Sequence, residues 1–142
     1  MIKKRRRASC IVELTDEDGD VSILIAEQYG RGYDLLPGGR VEPDEAPIIA
    51  AIRELFEETG LKSEGVLKLF EYTSQHQVHH VFYLIPEPGA QPTPRSDVKR
   101  LWTLKLSECD TLSSDPQLSK STVDILRRFL DSREASLAWT SS

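Results

Sequence analysis

The chain has 142 residues, of which 39% are hydrophobic and 29% charged, a composition typical of one globular domain and unlike a disordered or collagen-like chain. Its net charge is −5, although positive charge is concentrated at the N-terminus, in Lys3, Lys4, Arg5, Arg6 and Arg7. Apolar runs are too short to cross a membrane, and two cysteines give neither a disulfide framework nor a zinc pattern. We therefore expect a cytoplasmic protein that acts on no membrane, and the acidic remainder argues against nucleic-acid binding.

The first part of the chain is predicted to form two strands followed by a long loop. Residues 8–14 alternate apolar and polar side chains, which is typical of a half-buried strand. Residues 16–20 predict a tight turn, and residues 21–27 a second strand. A glycine-rich loop over residues 29–45 comes next, and long ordered loops in small domains usually serve a function.

A helix is predicted over residues 44–59. Asp44 is a suitable N-cap, Pro47 fits the first turn, and Gly60 is a suitable C-terminal cap. At about 100° per residue, one arc of this helix is apolar and is expected to face the core. That arc contains Ile48, Ile49, Ile52, Leu55 and Phe56.

The second part of the chain is predicted to form more strands and a final helix. Strands are expected over residues 66–74, 79–85 and 99–106, and an amphipathic helix is expected to begin at Asp115-Pro116. Strands on both sides of one helix, with another helix at the end, predict a mixed sheet covered on both faces. We expect a single domain over residues 1–142, with a flexible basic arm at 1–6 and a flexible tail at 135–142.

Three glutamates share the face of the first helix that is opposite to its apolar arc. Glu54, Glu57 and Glu58 repel one another at this spacing, so stability does not explain their placement. A divalent cation with hard oxygen ligands, Mg²⁺ or Mn²⁺, would explain it. Arg53 can pair with Glu57 or turn back toward Glu45, which would limit the repulsion. An acid-rich, solvated helix face is the alternative interpretation.

The spacing of these residues resembles the Nudix box at every position that the motif specifies. The motif comprises Gly39, five residues, Glu45, seven residues, and then residues 53–61, RELFEETGL. The resemblance implies a Nudix-type α/β/α sandwich: a mixed sheet with a catalytic loop-helix-loop and a C-terminal helix. It also implies Mg²⁺-dependent hydrolysis of a diphosphate bond within a nucleoside diphosphate linked to another group. A small phosphorylated molecule is thus the expected partner, and the oligomeric state stays open.

The same resemblance assigns roles to individual residues. Glu54 and Glu58 would be the main metal ligands, with Glu57 and the Gly38 carbonyl nearby. Glu45 and Arg53 would orient the loop and the helix, while Gly39 would let the backbone approach the substrate phosphates.

The general base is less well defined by the sequence. Glu54 is the first choice, and metal activation of water could leave the protein base a minor part. Family members often carry a further acid a few residues before the tryptophan of the last strand. Asp97, five residues before Trp102, is the candidate here, and Glu87 is its rival.

The basic N-terminus bears on the substrate. Together with the box, it is similar to the branch of the family that hydrolyses diphosphoinositol polyphosphates and diadenosine polyphosphates. In that branch, basic residues that enter the first strand hold extra phosphates, which would be the role of Arg5 and Arg7; His79 would add another contact. A solvated N-terminal tail and a solvated histidine-bearing sheet face are the alternatives. A plain nucleotide pyrophosphohydrolase is slightly favoured, and a non-catalytic Nudix-fold binding module is the third possibility.

Overall fold

The computed structural model describes residues 4–109 and 116–141 of the chain. Within them, the strands are Arg5–Ile11 (β1), Glu13–Thr15 (β2), Val21–Gln28 (β3), Asp34–Leu35 (β4), Gly38–Arg40 (β5), Ser63–Thr73 (β6), Gln77–Pro86 (β7) and Val98–Lys105 (β8). The helices are Pro47–Thr59 (α1) and Lys120–Ser141 (α2). Neither helix is long and apolar enough, over its described residues, to cross a membrane.

The strands form two four-stranded sheets. One sheet has the order β5-β1-β7-β6, in which β1 and β7 are parallel and the other neighbours antiparallel. In the other sheet, β3 pairs antiparallel with β2, β4 and β8. The parallel pair among antiparallel neighbours confirms the predicted mixed sheet.

Two hydrophobic clusters lie on opposite sides of this strand layer. On one side, Ala50, Ala51 and Leu55 of α1 pack with Ala8 and Cys10 of β1. On the other side, α2 packs against the strands through Ile125, Leu126 and Phe129. Each helix packs one of its sides against the strands, which confirms the predicted α/β/α arrangement.

The first strand differs from its prediction in start and in burial. It begins at Arg5 rather than at residue 8, so Arg5 and Arg6 belong to the sheet and not to a flexible arm. It is buried on both faces from Arg7 to Ile11 rather than half-buried. The central position of β1 explains its burial on both faces, because β5 and β7 flank the strand and helices cover both sides of the sheet.

The N-terminal cap predicted for α1 is wrong. The helix begins at Pro47 after Ala46, which provides no side-chain cap, whereas Asp44 lies in the preceding turn with a φ of 45°. At the other end, Gly60 adopts the left-handed conformation, and its N–H donates to the carbonyl of Phe56, as predicted for a C-terminal cap.

The buried face of α1 is also rotated relative to its prediction. Ile48, Ile49 and Phe56 of the predicted apolar arc are 39%, 53% and 39% exposed. Leu55 of that arc is buried as predicted, but the buried side extends to Ala50, Ala51 and Glu58 instead of to the isoleucines. Two alanines let the helix approach the strands closely, so backbone proximity rather than apolar bulk selects this face. As a consequence, Glu58 points inward.

The C-terminal helix starts later than predicted. Pro116 lies in a turn before it, Asp115 falls outside the described residues, and α2 begins at Lys120. Ser119 is the cap, since its hydroxyl accepts the Thr122 N–H at 3.1 Å. The helical backbone continues to Ser141, through the tail that was expected to fray from Ala135.

Candidate active site

A pocket of about 310 Å³ lies where α1 faces β1, β5 and the glycine-rich loop. Its acidic lining residues are Glu54, Glu58 and Asp97. Its basic lining residues are Arg5, Arg6, Arg7, Arg31 and Arg40. A cavity that both carboxylates and guanidinium groups line suits a ligand that combines metal cations with phosphate groups. We call this cavity the main pocket.

Glu54 and Glu58 lie one turn apart on α1, so both carboxylates face the main pocket. Glu58 is only 4% exposed, and its Oε2 accepts the Gly38 N–H at 3.3 Å. Burial raises the pKa of Glu58 to about 7, and the charges of Glu54 and Asp97 add to this, against Arg7 and the Gly38 N–H. Burial also raises the pKa of Glu54, against the hydrogen bond from Arg53.

The two glycines before the helix leave space that a side chain would fill. Gly38 has a φ of 148°, and a Cβ at this position would collide with the Ala8 carbonyl oxygen. A Cβ on Gly39 would collide with the carboxyl group of Glu54. Both glycines therefore let the β5 backbone lie directly against β1 and the carboxylates of α1.

Arg53 ties the loop before α1 to the helix, as predicted. Its Nε and Nη2 donate to both oxygens of Glu45 at 2.8 and 2.9 Å. Its Nη1 donates to Glu54 at 2.9 Å and to Glu57 at 3.3 Å, and Nη2 also donates to the Arg40 carbonyl at 3.1 Å. The hydrogen bonds from Arg53 hold the pKa of Glu45 down at about 2, so this carboxylate stays ionised.

Glu57 does not line the main pocket. Its side chain is 50% exposed and turns to Arg53. In the part of the chain that the structure describes, no group of three histidine, cysteine or acidic side chains could enclose a metal ion. Mg²⁺ does not need such a group, because it commonly uses one or two carboxylates and completes its shell with water and substrate phosphates. The pair Glu54 and Glu58, beside Gly38, fits that requirement.

The structure separates the two candidates for an additional acid. Asp97 precedes β8 and lines the main pocket, close enough for its charge to raise the pKa of Glu58. Glu87 lies beside a different cavity, which residues 13–15 and 86–92 line. Asp97 is thus near the carboxylates of α1, and Glu87 is not.

Arg5 and Arg7 both line the main pocket, but their surroundings differ. Arg5 is exposed at its rim, whereas Arg7 is only 7% exposed and donates to the Leu36 carbonyl at 3.0 Å. The sequence reasoning missed Arg31 and Arg40 as pocket residues. The glycine-rich loop could have identified these two arginines, because Arg31 lies between two glycines and Arg40 follows the glycine pair.

His79, the predicted additional phosphate contact, does not line the main pocket but a smaller cavity beside it. It is 5% exposed, and its Nδ1 lies 3.1 Å from the Ser9 hydroxyl. Burial and then the charge of Arg7 lower the pKa of His79 to about 4, so the imidazole is neutral at pH 7. His80 is buried as well, and the solvated sheet face suggested for these histidines is therefore wrong.

Comparison with protein families gives one match that covers most of the chain. The model described as "NUDIX domain" matches residues 4–127. Among solved structures, a chain from Chromobacterium violaceum that is assigned to the nudix hydrolase family has a TM-score of 0.78 at 28% identity, covering 99% of this chain and 91% of that one. The NUDIX domain of Shewanella oneidensis NrtR, solved with ADP ribose, has a TM-score of 0.74 at 14% identity, covering 92% and 89%.

Comparison with curated proteins gives weaker and more partial matches. Diphosphoinositol polyphosphate phosphohydrolase 2 from Mus musculus is 28% identical over 81 residues, which are 57% of this chain and 45% of the relative. The Rattus norvegicus protein of the same name is 30% identical over 81 residues, with the same coverage. The matched region thus spans less than half the length of these relatives.

Proposed function

Since the chain belongs to the NUDIX family, we propose that it hydrolyses a phosphoanhydride bond within a nucleoside diphosphate linked to another group, using Mg²⁺ and water. Mn²⁺ is the expected substitute. One observation carries the proposal: Glu54 and Glu58 face one pocket that guanidinium groups also line. That juxtaposition offers a cation site and a polyanion site in the same cavity.

Glu54, Glu58 and the Gly38 carbonyl are the groups that would hold the cation. Glu58 is buried and forms no salt bridge within the described residues, and Arg7 is the cation whose charge acts on it. A bound Mg²⁺ supplies charge for the diphosphate and lowers the pKa of a water molecule. Arg53 keeps Glu54 oriented, and the glycines keep the backbone close to both carboxylates.

Glu54 is the proposed general base, and Asp97 is the second candidate. Burial raises the pKa of Glu54 above its usual value, which makes its carboxylate a better proton acceptor. Asp97 shares the main pocket but comes from a loop, as a base from outside the helix would.

A substrate panel tests the proposed activity. Nucleoside diphosphate sugars, dinucleoside polyphosphates and ADP ribose are incubated with the full chain and Mg²⁺ or Mn²⁺, and the products are identified. We expect turnover of at least one member and a loss of at least about 10²-fold in Glu54→Gln. Binding of panel members without turnover would instead support a non-catalytic binding module.

A highly phosphorylated substrate is the second candidate. The five arginines that line the main pocket favour it, because a plain diphosphate needs fewer cationic partners. The names of the diphosphoinositol relatives point the same way.

Removing a positive charge at the rim of the main pocket tests whether the substrate is highly phosphorylated. Arg5→Ala is expected to raise KM for a polyphosphorylated substrate about 10-fold or more and to change KM for a nucleoside diphosphate sugar little. Lys4→Ala is the matched control, since Lys4 is exposed at the start of the same segment and does not line the pocket. Equal effects of the two variants would return the choice to a plain nucleotide substrate.

The expectations of a cytoplasmic location and of a small phosphorylated partner belong to the same proposal. Burial of the Cys10 side chain raises the pKa of its thiol well above the usual value, which suits an unreactive core residue. The five arginines at the main pocket support a compact anionic ligand over nucleic acid.

A further inference from the structure

The loop between β7 and β8 docks on the C-terminal end of α1. The last carbonyl groups of an α-helix have no partner within the helix and need one from outside. Here the loop supplies two partners. The backbone N–H of Arg95 donates to the Glu58 carbonyl at 2.9 Å, and that of Thr93 donates to the Thr59 carbonyl at 2.9 Å. The loop is therefore fixed to the same helical turn that carries the Glu58 side chain into the main pocket.

The side chain of Arg95 adds a contact of its own at this end of the helix. Its guanidinium carbon lies 5.1 Å from the centroid of the Phe56 ring, which is within the range of a cation–π interaction. Its Nη1 lies over Gly60, 3.2 Å from the point where a Cβ would stand, so the absence of a side chain there leaves room for it. Residues 56–59 include no basic residue, and a cation near a helix C-terminus interacts favourably with the helix dipole. Arg95 thus supplies from the loop the charge that the helix lacks.

A tight turn leads from Arg95 to Asp97. The Val98 N–H donates to the Arg95 carbonyl at 3.0 Å, which closes a four-residue turn. Within this turn, Ser96 has a φ of 55°, a left-handed conformation that persists in a non-glycine residue when its surroundings impose it. Asp97 is held on its other side, because its carbonyl accepts the Tyr29 N–H at 3.0 Å. The direction in which Asp97 leaves the turn therefore depends on anchors outside the turn.

We propose that Arg95 is a positioning residue, whose clamp on α1 holds the turn that presents Asp97 to the main pocket beside Glu58. This deepens the proposed function and rests on it for the reaction in which Asp97 takes part. Arg95 does not line the main pocket, so its effect passes through Asp97. The clamp ties the loop to the helix that carries Glu54 and Glu58, and carboxylates from two separate elements thereby keep a fixed spacing.

Amide hydrogen exchange in EDTA tests the clamp without catalysis or metal. The Tyr29 and Val98 amides report on the turn, because both donate to carbonyls within it. Arg95→Ala is expected to speed their exchange about 5-fold or more, since opening of the turn then breaks fewer contacts. The Ser74 amide, which lies in the turn between β6 and β7, should keep its rate. Unchanged exchange at Tyr29 and Val98 would overturn the clamp.

Arg128→Ala is the matched control variant. Arg128 is another exposed arginine whose guanidinium carbon lies over an aromatic ring, 4.2 Å from the centroid of Phe70, and it does not line the main pocket. Its replacement should leave kcat and the exchange of the Tyr29 and Val98 amides unchanged. Arg95→Lys keeps a cation near the Phe56 ring and should recover most of the wild-type kcat and exchange rate.

A double-mutant cycle then tests whether Arg95 acts through Asp97. Arg95→Ala is expected to lower kcat about 10-fold and to change KM less than about 2-fold, because a displaced group loses its place in the transition state. In a chain that already carries Asp97→Asn, the same change should lower kcat less than about 2-fold, since the carboxylate that Arg95 positions is gone. Additive losses would overturn the positioning role, and so would a wild-type kcat in Asp97→Asn.

The conformation of Ser96 provides a second, independent pair of variants. A β-branched side chain strongly disfavours positive φ, so Ser96→Val should reproduce the loss of kcat and of amide protection seen in Arg95→Ala. Glycine adopts positive φ readily, so Ser96→Gly should keep kcat near that of the wild type. Equal kcat values in the two variants would contradict a turn held in this conformation for the reaction.

Exchange and kinetics together separate a failure of this inference from a failure of the proposed function. A chain that hydrolyses no member of the substrate panel, but loses amide protection at Tyr29 and Val98 in Arg95→Ala, would overturn the proposed function and keep the clamp. A chain that hydrolyses its substrate, while Arg95→Ala changes neither exchange nor kcat, would overturn the clamp and keep the proposed function.

Discussion

The replacement Glu58→Gln is expected to stabilise the protein when no metal is present. Glu58 is 4% exposed, and burial raises its pKa from the usual 4.5 to about 7. At about 1.36 kcal/mol per pH unit, this difference corresponds to about 3 kcal/mol of stability that is lost when Glu58 is ionised in the folded protein. A neutral amide avoids that cost, and its oxygen can still accept the Gly38 N–H.

The sign of the pH dependence follows from the raised pKa. The folded state binds the Glu58 proton more tightly than the unfolded state, so this group costs nothing below about pH 4.5. The cost grows between about pH 4.5 and 7 and is complete above pH 7. After an allowance for burying the amide, Glu58→Gln should gain about 1–3 kcal/mol at pH 8, or about 3–9 °C in Tm, and almost nothing at pH 4.

Denaturant unfolding in EDTA at pH 4, 6 and 8 measures the effect. Glu57→Gln is the matched control, because it makes the same chemical change on an exposed side chain that pairs with Arg53. Its effect should stay within about 0.5 kcal/mol at every pH. Saturating Mg²⁺ should stabilise the wild type more than Glu58→Gln and so close the gap at pH 8. A variant that is less stable than wild type at pH 8 in EDTA, or a gap independent of pH, would refute the reasoning.

Three further outcomes follow from the geometry. Leu55→Ala should cost about 2–5 kcal/mol in a denaturant titration, whereas Ile49→Ala should cost less than about 0.5 kcal/mol, and a large cost for both would return α1 to its predicted orientation. Gly39→Ala should lower kcat at least about 10²-fold, because its Cβ collides with the Glu54 carboxyl group; wild-type turnover would contradict that contact. Asp97→Asn should lower kcat more than Glu87→Gln does, and equal kcat values would remove Asp97 from the site.

Several features of the fold could be predicted because they depend on neighbours along the chain. The positions of the strands, the tight turn at residues 16–20 and the Gly60 cap follow from local patterns, and the structure reproduces each within a few residues, although β1 is buried on both faces. Glu54 and Glu58 face one pocket because a helix places residues i and i+4 on the same side. The pairing of Arg53 with Glu45 follows from their spacing in the box.

The sequence by itself thus determined the family motif, the helix that carries it and the pairing of its charges, all within residues 39–61. Tertiary structure decided which face of that helix is buried, because small Ala50 and Ala51 admit the sheet more closely than the bulkier isoleucines would. It also brought Arg7, Arg31 and His79 to one small cavity of about 80 Å³, although many residues separate them in the chain. Hydrophobic periodicity describes one helix or strand at a time. The burial and the pKa of Glu58, in contrast, depend on the residues that other elements pack against it.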